Sequence, residues 1–242
     1  MAARLPDADA LLTSAMDAVT PAMLAAAPRL RVIANIGVGF DNIDVAACAA
    51  RGIVVTNTPG VVDDATADTA FALMLAAARR IVEGDAFVRG GRWTATSQLP
   101  MGIDVHHRTL GIVGLGRVGR AIARRASGFD TKVLYHNRRR LDPAEEARLG
   151  VAYSDLDSLL ASADFVVLQV PGTSETHHLI GAAQLARMKR SAVLVNTARG
   201  GIIGAAGLDV FEGEPDVHPD LLAALAGAEP PDRVVPPGNP KA

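Results

Sequence analysis

The chain alternates short apolar runs with segments of helical spacing. Six apolar runs predict strands at 30–35, 52–57, 109–113, 132–135, 164–170 and 191–197. Apolar residues with helical spacing predict helices at 44–50, 118–126, 156–163 and 182–188. Strands that alternate with helices indicate a parallel sheet with right-handed crossovers, and hence an α/β fold.

Two further segments have helical spacing, at 1–30 and at 66–88. In the first, Thr20 and Pro21 are typical of an N-cap and the first helical position. The second is apolar on most of its circumference, through Phe71, Leu73, Met74, Leu75, Ile81 and Val82. Such a helix is buried, so we predict a linking helix packed between two domains or at a dimer interface.

A glycine motif lies between the strand at 109–113 and the helix at 118–126. Gly114, Gly116 and Gly119 have the G-x-G-x-x-G spacing of a dinucleotide-binding turn, and Leu115, Arg117 and Val118 fill its other positions. The first glycine allows the tight turn, the second lets a pyrophosphate approach the backbone, and the third lets helix and strand pack closely. The alternative is a glycine-rich turn in an unrelated α/β domain, which the strand–turn–helix–strand context disfavours.

The residues after the strand at 132–135 bear on the choice of cofactor. NAD-binding proteins carry an acidic residue there, about 20 positions after the glycines, which binds the ribose 2′-hydroxyl. This chain has Asn137 instead, followed by Arg138, Arg139 and Arg140. Guanidinium groups suit a 2′-phosphate, so we predict NADP as the preferred cofactor, with NAD possible. Alternatively, the arginines form a solvated surface run.

Composition excludes several classes of protein. The chain has 242 residues, 49% of them hydrophobic, and a net charge of −2, which argues against nucleic acid or an anionic membrane as a partner. Cys48 is the single cysteine, so we expect no disulfide framework and no metal site. We find no secretory signal and no membrane-spanning segment, which predicts a soluble cytoplasmic protein. The length of the chain fits one large domain or two modest ones.

Seven segments resemble, in order, the motifs of the D-isomer-specific 2-hydroxyacid dehydrogenases, and most closely the glyoxylate/hydroxypyruvate reductase branch. They are NIGVGFDNID, GIVVTNTPG, TADTAFALMLAAARR, GIVGLGRVG, VPGTSETHHLI, VNTARGG and AGLDVFEGEP. An epimerase or adenosylhomocysteine hydrolase relative would explain the glycines but not VNTARGG together with AGLDVFEGEP.

The resemblance implies a Rossmann-type doubly wound parallel sheet and a second, incomplete flavodoxin-like substrate domain. Residues 1–98 would form the substrate domain and residues 99–225 the NAD(P)-binding domain. Residues 226–242 are rich in proline, glycine and alanine, which predicts a disordered tail. The resemblance further implies a homodimer that reduces a small 2-keto acid, such as glyoxylate or hydroxypyruvate, to a D-2-hydroxy acid.

The resemblance also implies roles for individual residues. Arg199 would bind the substrate carboxylate and polarise its carbonyl, and the backbone amides of Gly37, Val38 and Gly39 would hold the carboxylate. Glu214 would hydrogen-bond a catalytic histidine. Positions near the cofactor's nicotinamide are Thr66, Val170, Pro171, Thr176, Thr197, Ala198 and Asp209. Without the family context, the loop at 37–39 is an ordinary turn, Arg199 a surface arginine and Glu214 a solvated carboxylate.

Three features depart from the family pattern. The catalytic histidine is not identifiable, since the histidine after Glu214 is His218, in a segment that matches a non-catalytic part of the family. The helix expected between the strand at 191–197 and one at 206–211 has no counterpart, and the family's first strand and helix would precede Met1. We therefore expect a truncated or internally deleted member. The alternative function is a catalytically impaired nucleotide-binding remnant or a non-functional fragment.

Overall fold

The computed structural model describes residues 2–14 and 16–204, in two compact units that divide between Thr66 and Ala67. The strand expected at 206–211, the site residues Asp209 and Glu214, and the tail at 226–242 lie outside the described residues. The division precedes the predicted boundary at 98, because the helix at Asp63–Ala78 buries its side chains in the core of the second unit.

The first unit contains a three-stranded parallel sheet and two short helices. The strands are β1 (Ala10–Ser14), β2 (Val32–Ile36) and β3 (Val54–Thr56), in that order across the sheet, and the helices are α1 (Pro21–Ala25) and α2 (Val45–Ala50). The Thr20 hydroxyl accepts a hydrogen bond from the Met23 amide at 3.3 Å, which confirms the predicted cap of α1. Leu24, Ile33 and Cys48 are fully buried in its core.

Strand β1 contradicts the helical pattern predicted over 1–30. Its backbone pairs with β2 in parallel register, from Ala10 opposite Val32 to Ser14 opposite Ile36. Ala and Leu favour helices in isolation, but a ladder of hydrogen bonds to a neighbouring strand overrides a weak local preference.

The second unit contains a five-stranded parallel sheet with helices on both faces. Its strands are β4 (Thr109–Val113), β5 (Lys132–His136), β6 (Val151–Tyr153), β7 (Phe165–Leu168) and β8 (Val193–Asn196). Its helices are α3 (Asp63–Ala78), α4 (Ile81–Arg89), α5 (Arg117–Ala126), α6 (Pro143–Leu149), α7 (Leu156–Ser162) and α8 (Ala182–Leu185). The spatial order β6-β5-β4-β7-β8 reverses direction at β4, which makes the end of β4 a topological switch point.

Strand β7 shows why these strands are continuously apolar. Phe165 and Val167 enter the core on one face of the sheet, whereas Val166 and Leu168 enter the core on the other. Alternate residues of a strand point to opposite faces, and helices cover both faces of a doubly wound sheet. The predicted Rossmann-type α/β fold is confirmed.

The helix predicted over 66–88 is interrupted. Helix α3 ends at Ala78, whose carbonyl accepts a hydrogen bond from the Ile103 amide at 2.8 Å, and Arg80 adopts a left-handed conformation with φ of 53°. Helix α4 then begins at Ile81 and has no buried residue. Ile81 and Val82 are 55% and 70% exposed in the single chain, so they are not buried within it, and burial at a dimer interface stays a prediction. No helix in the described ranges is long and apolar enough to cross a bilayer.

Candidate active site

The glycine turn has the geometry that a dinucleotide requires. Gly114 has a φ of +102°, and a Cβ there would lie 2.7 Å from the Gln169 carbonyl. A Cβ on Gly119 would lie 2.4 Å from the Gly114 oxygen, because α5 passes very close to the turn. A Cβ on Gly116 would meet no atom within 4 Å. Open space at the second glycine, directly before the N-terminus of α5, fits a pyrophosphate and its charge.

Asn137 holds this turn in place. Its side-chain oxygen accepts a hydrogen bond from the Leu115 amide at 2.7 Å, and the Gly114 amide donates to the His136 carbonyl at 2.9 Å. The side chain that replaces the usual acidic residue therefore ties the turn after β4 to the end of β5, a role that the sequence did not reveal.

Arg140 forms an ion pair with Glu146 within the second unit. Its guanidinium donates two hydrogen bonds of 2.8 Å to Glu146, which also accepts one of 2.7 Å from the Tyr135 hydroxyl. The hydrogen bonds from Arg140 and then from Tyr135 lower the pKa of Glu146 to about 2. Burial, and then the hydrogen bond to the same carboxylate, raise the pKa of Tyr135. Because both oxygens of Glu146 are paired with Arg140, we exclude Arg140 from the predicted set of cofactor-binding guanidiniums.

Arg138 and Arg139 are exposed at the end of β5. Arg138 forms an ion pair with Glu175, which lies in the loop after β7. Since β4 lies between β5 and β7 in the sheet, this ion pair bridges the two strands that flank the glycine turn. Both side chains are more than half exposed, so water and salt screen the pair.

Arg199 lines a cavity of about 300 Å³ beside the loop after β7. The cavity is lined by Gly172, Thr173, Ser174, Thr176, His177, Arg199, Gly201 and Ile202. A Cβ on Gly172 would lie 3.0 Å from Cγ of Arg199, so this glycine makes room for the arginine stem. The cavity lies after the carboxyl ends of β7 and β8, where parallel α/β sheets bind ligands.

Asn196, at the end of β8, fixes the backbone that carries Arg199. It is 4% exposed, donates to the Arg199 carbonyl at 2.8 Å and accepts from the Ala198 amide at 3.0 Å. Gln169 donates a hydrogen bond to the Thr197 hydroxyl and so ties the ends of β7 and β8 together. Neither side-chain amide was among the predicted site residues, although each lies within or directly beside a motif.

The loop after β7 is held by its own threonines. The Thr176 hydroxyl donates to the Pro171 carbonyl at 2.5 Å and accepts from the Thr173 amide at 2.9 Å. Val170, at the start of the loop, packs against the core of its face of the sheet. The predicted positions Val170, Pro171 and Thr176 therefore belong to one loop, with Thr197 and Ala198 on the neighbouring one.

His177 is a residue that sequence reasoning did not connect with Arg199. Its ring lies against that of His178 at a tilt of 32°, with the centroids 3.7 Å apart, and it lines the same cavity as Arg199. A Cβ on Gly201 would lie 3.4 Å from the His177 ring, so the glycine leaves room for it. His177 and Arg199 are brought together by the fold, and no spacing in the sequence could have linked them.

The predicted substrate loop, Gly37 to Gly39, lies in the first unit after β2. The Gly37 amide donates to the Thr58 hydroxyl at 3.1 Å, and the Thr58 amide donates to the Gly37 carbonyl at 3.0 Å. Thr66 is in α3, on the last position before the division between the units. Among the described residues, no group of three His, Cys, Asp or Glu side chains could hold a metal ion.

Comparisons with known proteins agree on one family. The NAD binding domain of the D-isomer specific 2-hydroxyacid dehydrogenases matches residues 71–227. The glyoxylate reductase of Korarchaeum cryptofilum (strain OPF8) is 50% identical over 238 residues, covering 92% of this chain and 71% of the relative. Glyoxylate/hydroxypyruvate reductase B of Salmonella newport (strain SL254) is 49% identical over 220 residues, covering 84% of this chain and 68% of the relative.

A solved structure extends the likeness to three dimensions. D-lactate dehydrogenase from Aquifex aeolicus, complexed with NAD and lactic acid, is 31% identical and has a TM-score of 0.80. The match covers 86% of this chain and 62% of that structure, so this chain spans less than two thirds of that protein's length. The predicted resemblance and the NAD(P)-binding character of the second unit are confirmed. The chain belongs to the D-isomer specific 2-hydroxyacid dehydrogenase family.

Proposed function

We propose that this chain reduces a small 2-keto acid, such as glyoxylate or hydroxypyruvate, to the D-2-hydroxy acid with NAD(P)H. The observation that carries the proposal is the cavity lined by Arg199 after the carboxyl ends of β7 and β8, in the unit that carries the dinucleotide turn. Two relatives named as glyoxylate or glyoxylate/hydroxypyruvate reductases, each about half identical, support the choice of substrate.

Each of these residues has a distinct role in the proposed hydride transfer. When bound, the cofactor would supply a hydride to the keto carbon. Gly116 admits the pyrophosphate, and the N-terminus of α5 stabilises its charge. Arg199 binds the carboxylate and stabilises the negative charge that develops on the keto oxygen. We assign Asp209 to the nicotinamide half of the cofactor site and Glu214 to orienting a proton donor, as the family resemblance implies.

Reduction also needs a proton for the product alkoxide. Among the described residues that line the cavity, His177 is the ionisable side chain besides Arg199. A protonated imidazole can donate its N–H proton to the developing alkoxide and so act as a general acid. Replacing it by Asn tests whether it contributes, because loss of a proton donor lowers kcat and alters the pH profile, whereas loss of a packing residue lowers stability.

We further propose that NADPH is preferred over NADH. Asn137 stands where a carboxylate would repel a 2′-phosphate, and Arg138 and Arg139 are exposed beside it. Comparison of kcat/KM for the two cofactors tests the proposal, and a higher value with NADH would contradict it.

A coupled assay tests the proposed activity. NADPH oxidation should depend on added glyoxylate or hydroxypyruvate, and Arg199→Gln should lower kcat/KM by about 10²–10³-fold, since one charge-stabilising donor is lost. Arg187→Gln is the matched control, because Arg187 pairs with the exposed Asp157 outside the cavity. NADPH binding without turnover would instead favour a nucleotide-binding remnant.

We propose that the chain forms a homodimer through α4. Val82 and Val88 on this helix are 70% and 49% exposed, and Ile81 is 55% exposed. Exposed apolar side chains on one short helix offer apolar area that a second copy would cover, and the family resemblance supports a second copy as the partner. Light scattering should show a dimer that Val82→Glu converts to a monomer, and a monomeric wild type would refute the proposal.

A further inference from the structure

The loop between β5 and α6 is held from inside the second unit. Tyr135, on β5, has a fully buried side chain, and its hydroxyl accepts a hydrogen bond of 2.8 Å from the Leu141 amide in this loop. The same hydroxyl donates to the carboxylate of Glu146 at 2.7 Å. Glu146 lies in α6 and is 7% exposed. One buried hydroxyl group therefore joins the loop to the helix that follows it.

Arg140 completes this network from the solvent side. Its guanidinium donates to both carboxylate oxygens of Glu146 at 2.8 Å. The guanidinium also lies over the ring of Tyr153, with its Cζ 5.6 Å from the ring centroid. Two parallel hydrogen bonds and an aromatic face leave a planar guanidinium little freedom to rotate. Arg140 is therefore a second point at which the loop is held.

Helix α6, which carries Glu146, is itself fixed at its first turn. The side chain of Asp142 caps the helix by accepting a hydrogen bond of 2.8 Å from the Ala144 amide. Glu145 forms an ion pair with Arg120 of α5, the helix that follows the glycine turn. The network is thus built on a helix that is tied to the dinucleotide motif.

Two exposed residues, Arg138 and Arg139, lie between the positions that are held. Asn137, before them, is hydrogen-bonded to the glycine turn, and Arg140, after them, is bound to Glu146. A loop that is already held near its bound conformation loses less conformational entropy when a ligand binds. The buried network therefore lowers the entropic cost of using these two guanidinium groups together.

We propose that Tyr135 and Glu146 are positioning residues for cofactor selectivity, and that they act by holding Arg138 and Arg139 in place for a 2′-phosphate. The inference rests on the proposed preference for NADPH, and it adds two buried side chains that do not touch the cofactor. Neither side chain has a role in the proposed hydride transfer, so the effect is on recognition of the phosphate alone.

The test uses the full chain and two fragments of the cofactors, 2′,5′-ADP and 5′-AMP, which differ only in the 2′-phosphate. Calorimetric titration should show that the wild type binds 2′,5′-ADP more tightly. Tyr135→Phe removes only the hydroxyl and should lower this ratio of affinities about 3- to 10-fold, as expected for one hydrogen bond, at an unchanged affinity for 5′-AMP. Hydrogen exchange at the Leu141 amide should be faster, because that amide loses its acceptor.

The ratio of affinities separates positioning from a general loss of stability. Partial unfolding removes binding sites for both fragments equally and leaves the ratio unchanged. Tyr153→Phe is the matched control, because Tyr153 lies opposite Tyr135 on β6 and the change keeps the ring that faces Arg140. This variant should keep the wild-type ratio. If Tyr135→Phe does not fold, the double variant Arg140→Gln/Glu146→Gln replaces it, because it removes the support of the loop without changing the net charge.

The outcomes distinguish this inference from the proposed function. A ratio that falls in Tyr135→Phe and stays constant in Tyr153→Phe supports the inference, and it does so even if the chain shows no turnover. A wild-type ratio in Tyr135→Phe would overturn the inference alone, even where the Leu141 amide exchanges faster. Equal affinity of the wild type for the two fragments would refute both the inference and the proposed preference for NADPH.

Discussion

Two glycines of the same turn should respond in opposite ways to the addition of one methyl group. A Cβ on Gly119 would lie 2.4 Å from the Gly114 carbonyl oxygen and 3.3 Å from Cγ2 of Ile112, whereas a Cβ on Gly116 would meet nothing within 4 Å. Gly116 also has a φ of −81°, which any residue adopts. Gly119→Ala therefore tests packing, and Gly116→Ala tests the space left for the cofactor.

The expected stability changes follow from these contacts. Overpacking against a backbone atom costs up to about 3 kcal/mol, and alanine regains about 1 kcal/mol of helix propensity over glycine within α5. Gly119→Ala should thus lower the free energy of unfolding by about 2 kcal/mol, or Tm by about 4–8 °C for a chain of this length. Gly116→Ala changes an N-cap residue and should cost about 1 kcal/mol or less.

The two variants should rank in the opposite order for NADPH affinity, because Gly116→Ala should weaken NADPH binding more than Gly119→Ala does. A methyl group on Gly116 would occupy the space of the pyrophosphate, and losing one hydrogen bond to a charged group weakens binding by about 10- to 100-fold. Thermal unfolding and NADPH titration by nicotinamide fluorescence measure both quantities in each variant. The reasoning would be refuted by wild-type NADPH affinity in Gly116→Ala, or by a wild-type Tm in Gly119→Ala.

Three further predictions concern side chains around the same sheet. Because the folded-state pKa of Glu146 is depressed to about 2, its ion pair stabilises the fold above pH 4.5 and loses this effect as pH falls towards 2. The difference in Tm between wild type and Glu146→Gln should therefore shrink over that range. A constant difference in Tm would contradict this. Glu175→Gln removes the ion-pair partner of Arg138 and should lower KM for NADPH about 2- to 5-fold without affecting NADH, as kinetics with both cofactors will show. Asn196→Ala releases the backbone of Arg199 and should lower kcat/KM about 10-fold at an unchanged NADPH dissociation constant, whereas weaker NADPH binding would argue against a local effect.

The parts of the fold that the sequence predicted are those in which local and tertiary signals agree. Strand β4, the glycine turn and helix α5 have an apolar run, glycines at fixed spacing and helical periodicity in immediate succession. Fully buried parallel strands such as β7 are also visible as apolar runs, because both of their faces are covered.

The parts that the sequence missed depend on distant partners. Strand β1 has a composition that favours a helix, and it forms a strand because its backbone hydrogen-bonds to β2 in parallel register. The break between α3 and α4 arises where the Ala78 carbonyl bonds to Ile103, 25 positions away. The strand β6 has three residues, too few for a periodic signal.

The candidate site shows the same division. The glycines and Arg199 could be located from motifs, since their backbone requirements are local. The ion pair between Arg140 and Glu146 could not be predicted, because a run of arginines in the sequence does not show which of them has a carboxylate partner. His177 was likewise overlooked, because it meets Arg199 across two loops.

The loops of both units share one kind of anchor, the neutral side-chain amide. Asn35, Asn57, Asn137 and Asn196 each hold backbone groups of a loop at the end of a strand. Such amides neither gain nor lose protons between mildly acidic and alkaline pH, and salt does not screen them as it screens an ion pair. High salt should therefore weaken the attraction of anions to the arginines while leaving the shape of the loops unchanged. In each unit, uncharged side chains therefore hold these loops, and in the second unit the charge is carried by other side chains such as Arg138 and Arg199.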